Sequence, residues 1–319
     1  MIYPIEKKSI TIGISACLLG QKVRFDGGSK PSTFCLTQFS NHVQYQSFCP
    51  EVAIGLPIPR ATIRLIKKEQ MIKVAQPDGS GDVTEQLSAY GKKVAAMTEH
   101  LSGYIFCAKS PSCGMERVKV YTESGNSLSS KGVGAFAKEI MQANPLLPCE
   151  ENGRLNDLAI RENFVARVYA YKHWQTLLAS GLTHHKLMSF HSQYKYKLMS
   201  HDLVAYKKLG QLLASNKQDI NLLAQDYISQ FMAAMTKIAT RKKHANTLAH
   251  IQGYFSKQLK ANERQELTNS IDDYRKGLIP LIAPLTLIKH YLLHHPKDYL
   301  SQQAYLDPYP EALKLRYSY

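Results

Sequence analysis

The chain has 319 residues, of which 44% are hydrophobic and 20% are charged, so it holds enough apolar material for two separately packed domains. This composition excludes a largely disordered protein. Six cysteines in this length are too few for a disulfide scaffold and favour a reducing, cytoplasmic setting.

The first half alternates short apolar runs with helical stretches, which predicts an α/β domain with a Rossmann-like sheet and flanking helices. The apolar run before Cys17 is about eight residues long, too short to span a membrane, so we predict a buried strand and no membrane segment. In chain order, strands are predicted at 10–15, 52–58, 62–66, 71–75, 104–108 and 118–122, and helices at 83–101 and 134–143.

After the prolines of 145–148, a polar connector at 150–154 is followed by long periodic segments without strand signals. The clearest is 219–241, where apolar residues recur every three or four positions, as in a helix with one buried face. Pro280 and Pro284 predict a break before the next helix. We therefore predict an all-α second domain, with the domains at 1–148 and 149–319.

The net charge of +15 is unevenly distributed. Residues 151–319 contain 23 basic and 13 acidic residues, so this half carries +10, together with fourteen of the nineteen tyrosines. Basic residues mixed with aromatic ones suit a polyanion with exposed bases, such as RNA. A helical domain with solvated lysines and tyrosines in its core gives the same composition, so both interpretations stand.

Three cysteines lie in separate loop motifs, Cys17 in Ser-Ala-Cys-Leu-Leu-Gly, Cys49 in Phe-Cys-Pro-Glu-Val and Cys113 in Ser-Pro-Ser-Cys-Gly. Their separations of 32 and 64 residues exclude a zinc ribbon, which draws its ligands from close pairs. Thiolates gathered from distant loops suit an iron–sulfur cluster. We interpret Cys107, inside an apolar run, as a core residue, and Cys35 and Cys149 lack comparable motifs.

These motifs carry a resemblance to the DUF523 family of thiouracil desulfidases. It rests on Ser15-Ala-Cys-Leu-Leu-Gly20, Arg24-Phe-Asp-Gly27, Cys49-Pro-Glu-Val-x-x-Gly-Leu-x-x-Pro-Arg60 and Ser110-Pro-Ser-Cys-Gly114. The resemblance implies a 4Fe-4S cluster held by Cys17, Cys49 and Cys113, with the fourth iron open to the substrate sulfur. It also implies non-redox hydrolysis of a C–S bond.

The second half resembles the YbgA or DUF1722 domain. The matching segments are Phe190-His-x-x-x-Lys-Tyr196, Leu198-Met-x-His201, Ile251-Gln-Gly-Tyr-Phe255, Tyr274-Arg-x-Gly-x-x-Pro-Leu281 and Tyr305-Leu-x-Pro-Tyr-Pro310. The fused arrangement is similar to the RudS type of desulfidase, which implies 4-thiouridine in tRNA as the substrate. Free thiouracil is the substrate of stand-alone relatives.

Attack by water on a thiocarbonyl carbon needs a base, and Glu51 lies two residues after Cys49 on the same loop. The alternative is a carboxylate that pairs with Arg60 or Lys109 to tie loops together. The resemblance favours a catalytic serine in the third motif, for which Ser110 is preferred over Ser112. Either hydroxyl has the alternative role of hydrogen-bonding a cluster sulfur.

Several basic residues are candidates for substrate binding. Arg24 and Asp26 lie in a glycine-rich turn that can approach a base or phosphate, and Lys109 precedes the third motif. In the helical half, a nucleic-acid contact is predicted through His191, Lys195 and Lys197 and through Arg241, Lys242 and Lys243. A solvated helix end explains those lysines equally well.

Two functions of different classes follow. The first is a desulfidase acting on tRNA, with free thiouracil or thionucleosides as alternative substrates. The second is a nucleic-acid-binding protein whose cluster is structural or senses redox state. A fourth cysteine at the cluster, Cys35 or Cys107, would favour the second function.

Overall fold

The computed structural model describes residues 9–214 and 219–317. These divide into an α/β unit, which ends at Asp157, and a helical unit, which begins at Leu158. Both predicted fold classes are confirmed. The predicted boundary at 148/149 falls just before a short strand of the α/β unit.

The α/β unit contains two four-stranded sheets. One has the order β2-β1-β5-β8 and the other β4-β3-β6-β7. In chain order its elements are β1 Thr11–Ser15, β2 Gln44–Phe48, α1 Pro50–Ala53, β3 Arg64–Lys68, β4 Met71–Ala75, α2 Thr84–Met97, β5 Gly103–Phe106, β6 Val118–Thr122, β7 Ser127–Gly132, α3 Ala135–Ala143 and β8 Cys149–Glu151.

All pairings in the first sheet are parallel. β1 is central: β2 pairs on one side of it and β5 on the other, so the chain reverses its direction of strand addition there. In open α/β sheets, ligands bind in the crevice outside the carboxyl ends of the strands at such a switch point. The isoleucines of β1, Ile12 and Ile14, are fully buried, as the alternating pattern predicts.

Two predictions in this unit are wrong. The run 52–58 forms no strand, because Pro50 starts the short helix α1 and Gly55 with φ 87° turns the chain after it. The predicted connector at 150–154 contains part of β8, which pairs with β5.

The helical unit has eight helices within its described residues. They are α4 Leu158–Ala179, α5 His184–His201, α6 Leu203–Ala214, α7 Ile220–Met235, α8 Arg241–Gln252, α9 Ala261–Lys276, α10 Ile282–His294 and α11 Asp298–Ser301. The predicted helix at 219–241 corresponds to α7, which ends earlier than predicted, at Met235, and the predicted break at Pro280 separates α9 from α10. None of the helices in the described ranges is both long and apolar enough to cross a bilayer.

A charged cluster is buried in the core of the helical unit. Glu162 lies 3.1 Å from the ammonium of Lys197 and 3.7 Å from Nε of Arg316, and the Tyr309 hydroxyl donates to it at 3.0 Å. Burial favours the neutral acid, but the two cations outweigh it and hold the pKa of Glu162 below its usual value. Burial also lowers the pKa of Lys197 to about 8.

The same core contains buried histidines. Burial lowers the pKa of His173 and of His191 to about 4, and that of His201 to about 3. Their rings contact tyrosines or the backbone: His173 lies 3.3 Å from the Tyr194 hydroxyl, and His201 lies 2.6 Å from the Lys237 carbonyl oxygen.

The low pKa values of these histidines indicate that the helical unit loses stability in acid. Since they bind protons more tightly when unfolded, their stabilisation is complete above about pH 6.5 and decreases as the pH falls towards 4. We expect the melting temperature of the helical circular-dichroism signal to fall between about pH 7.5 and about pH 5. The fall should be smaller in His173→Gln and unchanged in the exposed control His250→Gln. A melting temperature independent of pH in this range would contradict the expectation.

Candidate active site

The cysteine motifs follow neighbouring parallel strands. Cys17 lies in a 3-10 turn directly after β1, Cys49 directly after β2, and Cys113 in the loop that follows β5. Because the carboxyl ends of parallel strands meet at one edge of a sheet, the three thiols converge at the switch point.

A cavity of about 340 Å³ opens at this edge, and every residue that lines it belongs to the α/β unit. Three predicted ligands, the predicted base and one predicted serine line it, together with Arg24 and Lys109. The full lining consists of Ser15, Ala16, Cys17, Val23, Arg24, Phe25, Lys30, Phe48, Cys49, Pro50, Glu51, Arg60, Thr62, Ile63, Cys107, Ala108, Lys109, Ser110, Pro111 and Cys113.

Cys107 is only 5% exposed, as predicted for a core residue, but it also lines this cavity, which the sequence did not indicate. It comes immediately after β5, and its thiol interacts with that of Cys17, which lies in the 3-10 turn after β1. Its backbone N–H donates to Oγ of Ser15 at 3.0 Å. The place of Cys107 at the end of a central strand was the signal that could have identified it. Cys35 is buried elsewhere, beneath the Tyr45 hydroxyl, which donates to its carbonyl oxygen.

Burial and mutual repulsion make most of these thiols hard to ionise. Burial raises the pKa of Cys49 and of Cys113, and the hydrogen bond with Cys107, followed by burial, raises that of Cys17. The same hydrogen bond lowers the pKa of Cys107 to about 7, assisted by Lys30 and Arg24. Since metal ligation requires thiolates, binding of a metal centre here would release protons.

The loop that carries Cys113 is held by the N-terminus of α3. The N–H of Gly134 donates to the Gly114 carbonyl at 2.8 Å, and that of Phe136 to the Ser112 carbonyl at 3.1 Å. A Cβ atom on Gly134 would lie 2.5 Å from the Ser112 oxygen, so only glycine allows this approach. Gly134 was predicted only as the start of the helix at 134–143 and not as part of the site, because it lies far from every cysteine motif in the chain.

Glu51 connects two of the cysteine loops. One carboxylate oxygen accepts hydrogen bonds from Nε and Nη2 of Arg60, at 2.9 and 2.5 Å, and the other accepts from the Ser112 hydroxyl at 2.8 Å. The side chains of Glu51 and Arg60 are only 15% and 5% exposed, so this is a largely desolvated, charge-assisted clamp. The clamp predicted as the alternative to a catalytic role is therefore present, on the wall of the cavity.

The two serines of the third motif have different surroundings. Ser112 is fully buried and its hydroxyl is directed at Glu51. Ser110 lines the cavity, and its Oγ accepts hydrogen bonds from the backbone N–H groups of Ser112 and Cys113, at 3.2 and 3.1 Å. Its hydroxyl proton remains available to the cavity, because backbone N–H groups use only its acceptor capacity.

Cations lie on one side of the cavity. Arg24 and Lys30 line it, as does the exposed Lys109, whose φ of 67° is unusual for a non-glycine residue. Asp26 does not line the cavity: its carboxylate accepts from the Gly28 N–H at 2.9 Å and pairs with Arg24 at 3.5 Å. Asp26 therefore shapes the turn that presents Arg24.

The basic residues predicted for the helical half are distributed differently. Lys195 is partly buried, Arg241 and Lys242 are exposed, and the Lys243 ammonium donates to the His201 carbonyl at 2.6 Å. The nucleic-acid contact predicted for Lys197 is wrong, because this residue is 1% exposed and paired with Glu162. His191 lies partly buried, with Nδ1 3.2 Å from the Tyr227 hydroxyl, which makes it an unsuitable phosphate contact.

The donor set of the cavity consists of soft thiols, with no histidine among its lining residues. Within 9–214 and 219–317, no three Cys, His, Asp or Glu side chains meet closely enough to ligate one metal ion. An iron–sulfur cluster needs thiolates spread around several irons, so the residues present fit such a group better than a single zinc ion.

Comparisons with known proteins agree with both halves of the chain. The family described as 2-thiouracil desulfurase matches residues 12–152, and the family described as DUF1722, a protein of unknown function, matches residues 195–310. Uncharacterized protein YbgA of Escherichia coli (strain K12) is 37% identical over 161 residues, covering 49% of this chain and 94% of that protein.

A solved structure titled 4Fe-4S-dependent thiouracil desulfidase TudS is 28% identical. The match covers 48% of this chain and 97% of that one, with a TM-score of 0.37. The matched families follow one another along the chain in the order of its two units. The α/β unit thus matches the family described as 2-thiouracil desulfurase, the helical unit contains a DUF1722 domain, and the chain belongs to one family with Uncharacterized protein YbgA.

Proposed function

We propose that the protein is an iron–sulfur-dependent desulfidase that hydrolyses the thiocarbonyl of 4-thiouridine in tRNA to give uridine and sulfide. The observation that carries the proposal is the cavity at the strand switch point, where cysteine thiols, a carboxylate and a serine hydroxyl face one another. The match of residues 12–152 to the family described as 2-thiouracil desulfurase supports a thiolated pyrimidine as the substrate class.

Cys17, Cys49 and Cys113 would hold the cluster. When bound, a cluster with three protein thiolates supplies an iron without a protein ligand, a Lewis acid suited to the soft sulfur of a thiocarbonyl. The reaction then adds water to the ring carbon and breaks the C–S bond, so that C=S and H₂O become C=O and H₂S. No electron is gained or lost.

Glu51 would accept the proton of the attacking water. Its oxygens already accept hydrogen bonds from Ser112 and Arg60, but a carboxylate oxygen has more than one acceptor site, so each can take a further bond from water. The clamp fixes the direction of the carboxylate, which is the preorganisation that a general base requires.

Other residues of the cavity have supporting roles in this scheme. The Ser110 hydroxyl would donate a proton towards the departing sulfur. Arg24, Lys30 and Lys109 would stabilise negative charge that develops on the ring and on the leaving group.

The choice of tRNA rests on the helical unit. The half of the chain that contains it carries +10 of the net charge of +15, which suits a phosphate backbone better than a free base. Free thiouracil and thionucleosides remain the alternative substrates within the same chemistry.

Anaerobic reconstitution with iron and sulfide, followed by incubation with 4-thiouridine-containing tRNA or free thiouracil, tests this function. We expect loss of the thiocarbonyl absorbance with equimolar sulfide release, faster for tRNA at equal concentration. Cys113→Ser should retain no cluster and turn over neither substrate. Absence of turnover with both substrates in cluster-loaded protein would refute an enzymatic role.

Cys107 favours a second candidate function, a nucleic-acid-binding protein with a closed, four-thiolate cluster that is structural or senses redox state. The variant Cys107→Ala separates the two. A three-thiolate site should keep the wild-type iron content in this variant, whereas a closed site should lose iron on exposure to air.

A further inference from the structure

Tyrosines from four segments of the helical unit surround the ammonium of Lys195. Its Nζ lies 5.9 Å from the ring centroid of Tyr196 on α5, 6.0 Å from Tyr206 on α6 and 5.9 Å from Tyr299 on α11. Tyr254, in the 3-10 turn after α8, stacks on Tyr299. We call these five residues the tyrosine surface.

Among the described residues no carboxylate pairs with the Lys195 ammonium, whose neighbours are these tyrosines and His191, one helical turn before it on α5. Burial disfavours its charged form, but interactions with the hydroxyls of Tyr299, Tyr206 and Tyr254 outweigh this and raise the pKa. Lys195 therefore stays charged at neutral pH. Its position contrasts with that of Lys197, whose charge is neutralised by Glu162 in the core.

Tyr254 and Tyr299 form a platform beside this charge. Their ring centroids are 5.8 Å apart with planes 21° from parallel, and Tyr254 is 38% exposed. A partly exposed ring in a stacked pair offers a face on which a further planar group can stack. Every nucleobase has such a face, and base–aromatic stacking next to a cation is typical of single-stranded RNA sites.

The alternative is that this arrangement is purely structural and that the aliphatic part of Lys195 only fills space between the rings. Another aromatic group of the unit shows what packing alone looks like: Phe190, Tyr227 and Phe231 are almost fully buried, and the ring of Phe190 packs edge-to-face against the other two. The tyrosine surface instead keeps an unneutralised charge at its centre, in a half of the chain that is already +10. An anionic ligand would balance this charge.

Further basic residues lie close in sequence to the tyrosines of the surface. Lys207 and Lys208 follow Tyr206, and Lys257 lies three residues after Tyr254, and all three are exposed. Asp298, next to Tyr299, is the exposed carboxylate adjoining the surface, and Lys297 precedes it. The sequence neighbours of the tyrosines thus include more exposed lysines than exposed carboxylates, which suits a phosphate backbone.

We propose that the tyrosine surface binds unpaired nucleotides of RNA, with a base stacked on Tyr254 and a backbone phosphate on Lys195. This rests on the proposed function in naming tRNA as the RNA, and it assigns the helical unit the task of holding the substrate. It also moves the expected RNA contact away from Lys243, which is engaged with the His201 carbonyl, and from Arg241, which packs against Gly277.

Equilibrium binding of the full-length, cluster-loaded protein to 4-thiouridine-containing tRNA tests the proposal. We expect Lys195→Gln to weaken binding and to reduce the slope of log Kd against log salt by about one. We expect Tyr254→Leu to weaken it by about five- to a hundredfold. Tyr254→Phe keeps the ring and should bind like the wild type, as should the control Lys289→Gln, which removes a lysine paired with Asp307 at 2.6 Å.

Measuring the turnover of free thiouracil by the same variants shows whether a negative result contradicts the tyrosine surface or the proposed desulfidase function. All variants should turn over thiouracil at the wild-type rate, since the cavity belongs to the other unit, and melting curves identify any that misfold. Wild-type affinity and salt slope in both Lys195→Gln and Tyr254→Leu would overturn the tyrosine surface while leaving the desulfidase function intact. Binding that depends on these residues without any desulfuration would overturn the proposed function alone.

Discussion

Glutamine in place of Glu51 should lower the turnover of a thiolated pyrimidine by at least about a hundredfold, the usual contribution of a general base. Glutamine has the same shape and can still accept from Arg60, so the tie between the Cys49 and Cys113 loops should largely persist. The glutamine amide, however, cannot act as a base. Iron content and absorption spectrum of the reconstituted variant should therefore match the wild type, while sulfide release is nearly lost.

The control is Glu116→Gln, which neutralises a carboxylate of the same unit that pairs with Arg154 at 2.7 Å and does not line the cavity. It should keep both iron and turnover. Full activity in Glu51→Gln would show that Glu51 is only a clamp. Loss of iron in Glu51→Gln would show that the clamp is needed to assemble the ligands. In that case the variant Ser112→Ala, which leaves Glu51 in place, would test whether Glu51 is the base.

Alanine in place of Glu162 should destabilise the helical unit by about 3–5 kcal/mol, because it leaves Lys197 and Arg316 buried without a counter-charge. Lys197 is 1% exposed and Arg316 7%, so neither cation can turn to water without unfolding its surroundings. The free energy of unfolding, measured by denaturant titration of the helical signal, checks this.

Asp307→Ala is the matched control, since Asp307 also pairs with a lysine, Lys289, but both side chains are about one-third exposed. It should cost no more than about 1 kcal/mol. Adding Lys197→Met to Glu162→Ala should recover part of the lost stability, because one of the two buried cations left without a counter-charge is then removed. Equal effects of Glu162→Ala and Asp307→Ala would contradict the assignment of the buried cluster.

Elements with clear periodicity were predictable from the sequence. The alternating isoleucines of β1 and the apolar stripe of α7 each record a buried face, which is why both fold classes could be inferred. β2 was missed because its residues, Gln44–Phe48, are only partly buried and show no apolar alternation. At the edge of a sheet, pairing with β1 rather than burial defines the strand.

The residues of the site were predictable only where they lie within local sequence motifs. Cys17, Cys49 and Glu51 were identified from neighbours in the chain, and the structure places all three around one cavity. Ser15 and Cys107 could not be identified in this way, because their importance comes from the sheet that brings them together across 92 positions. The same holds for Glu162 and Arg316, whose pairing depends on the packing of the helical unit.

The contact of Gly134 with the Cys113 loop has a consequence for recognising distant relatives. The three cysteine motifs alone do not specify the cavity, because the loop of the third thiol packs against the start of α3, and Gly134, the residue just before that helix, must lack a side chain. A homologue with all three motifs but a larger residue at the position of Gly134 would direct its third thiol elsewhere. A search pattern that includes this glycine should therefore distinguish chains that can form this cavity from chains that retain only the cysteines.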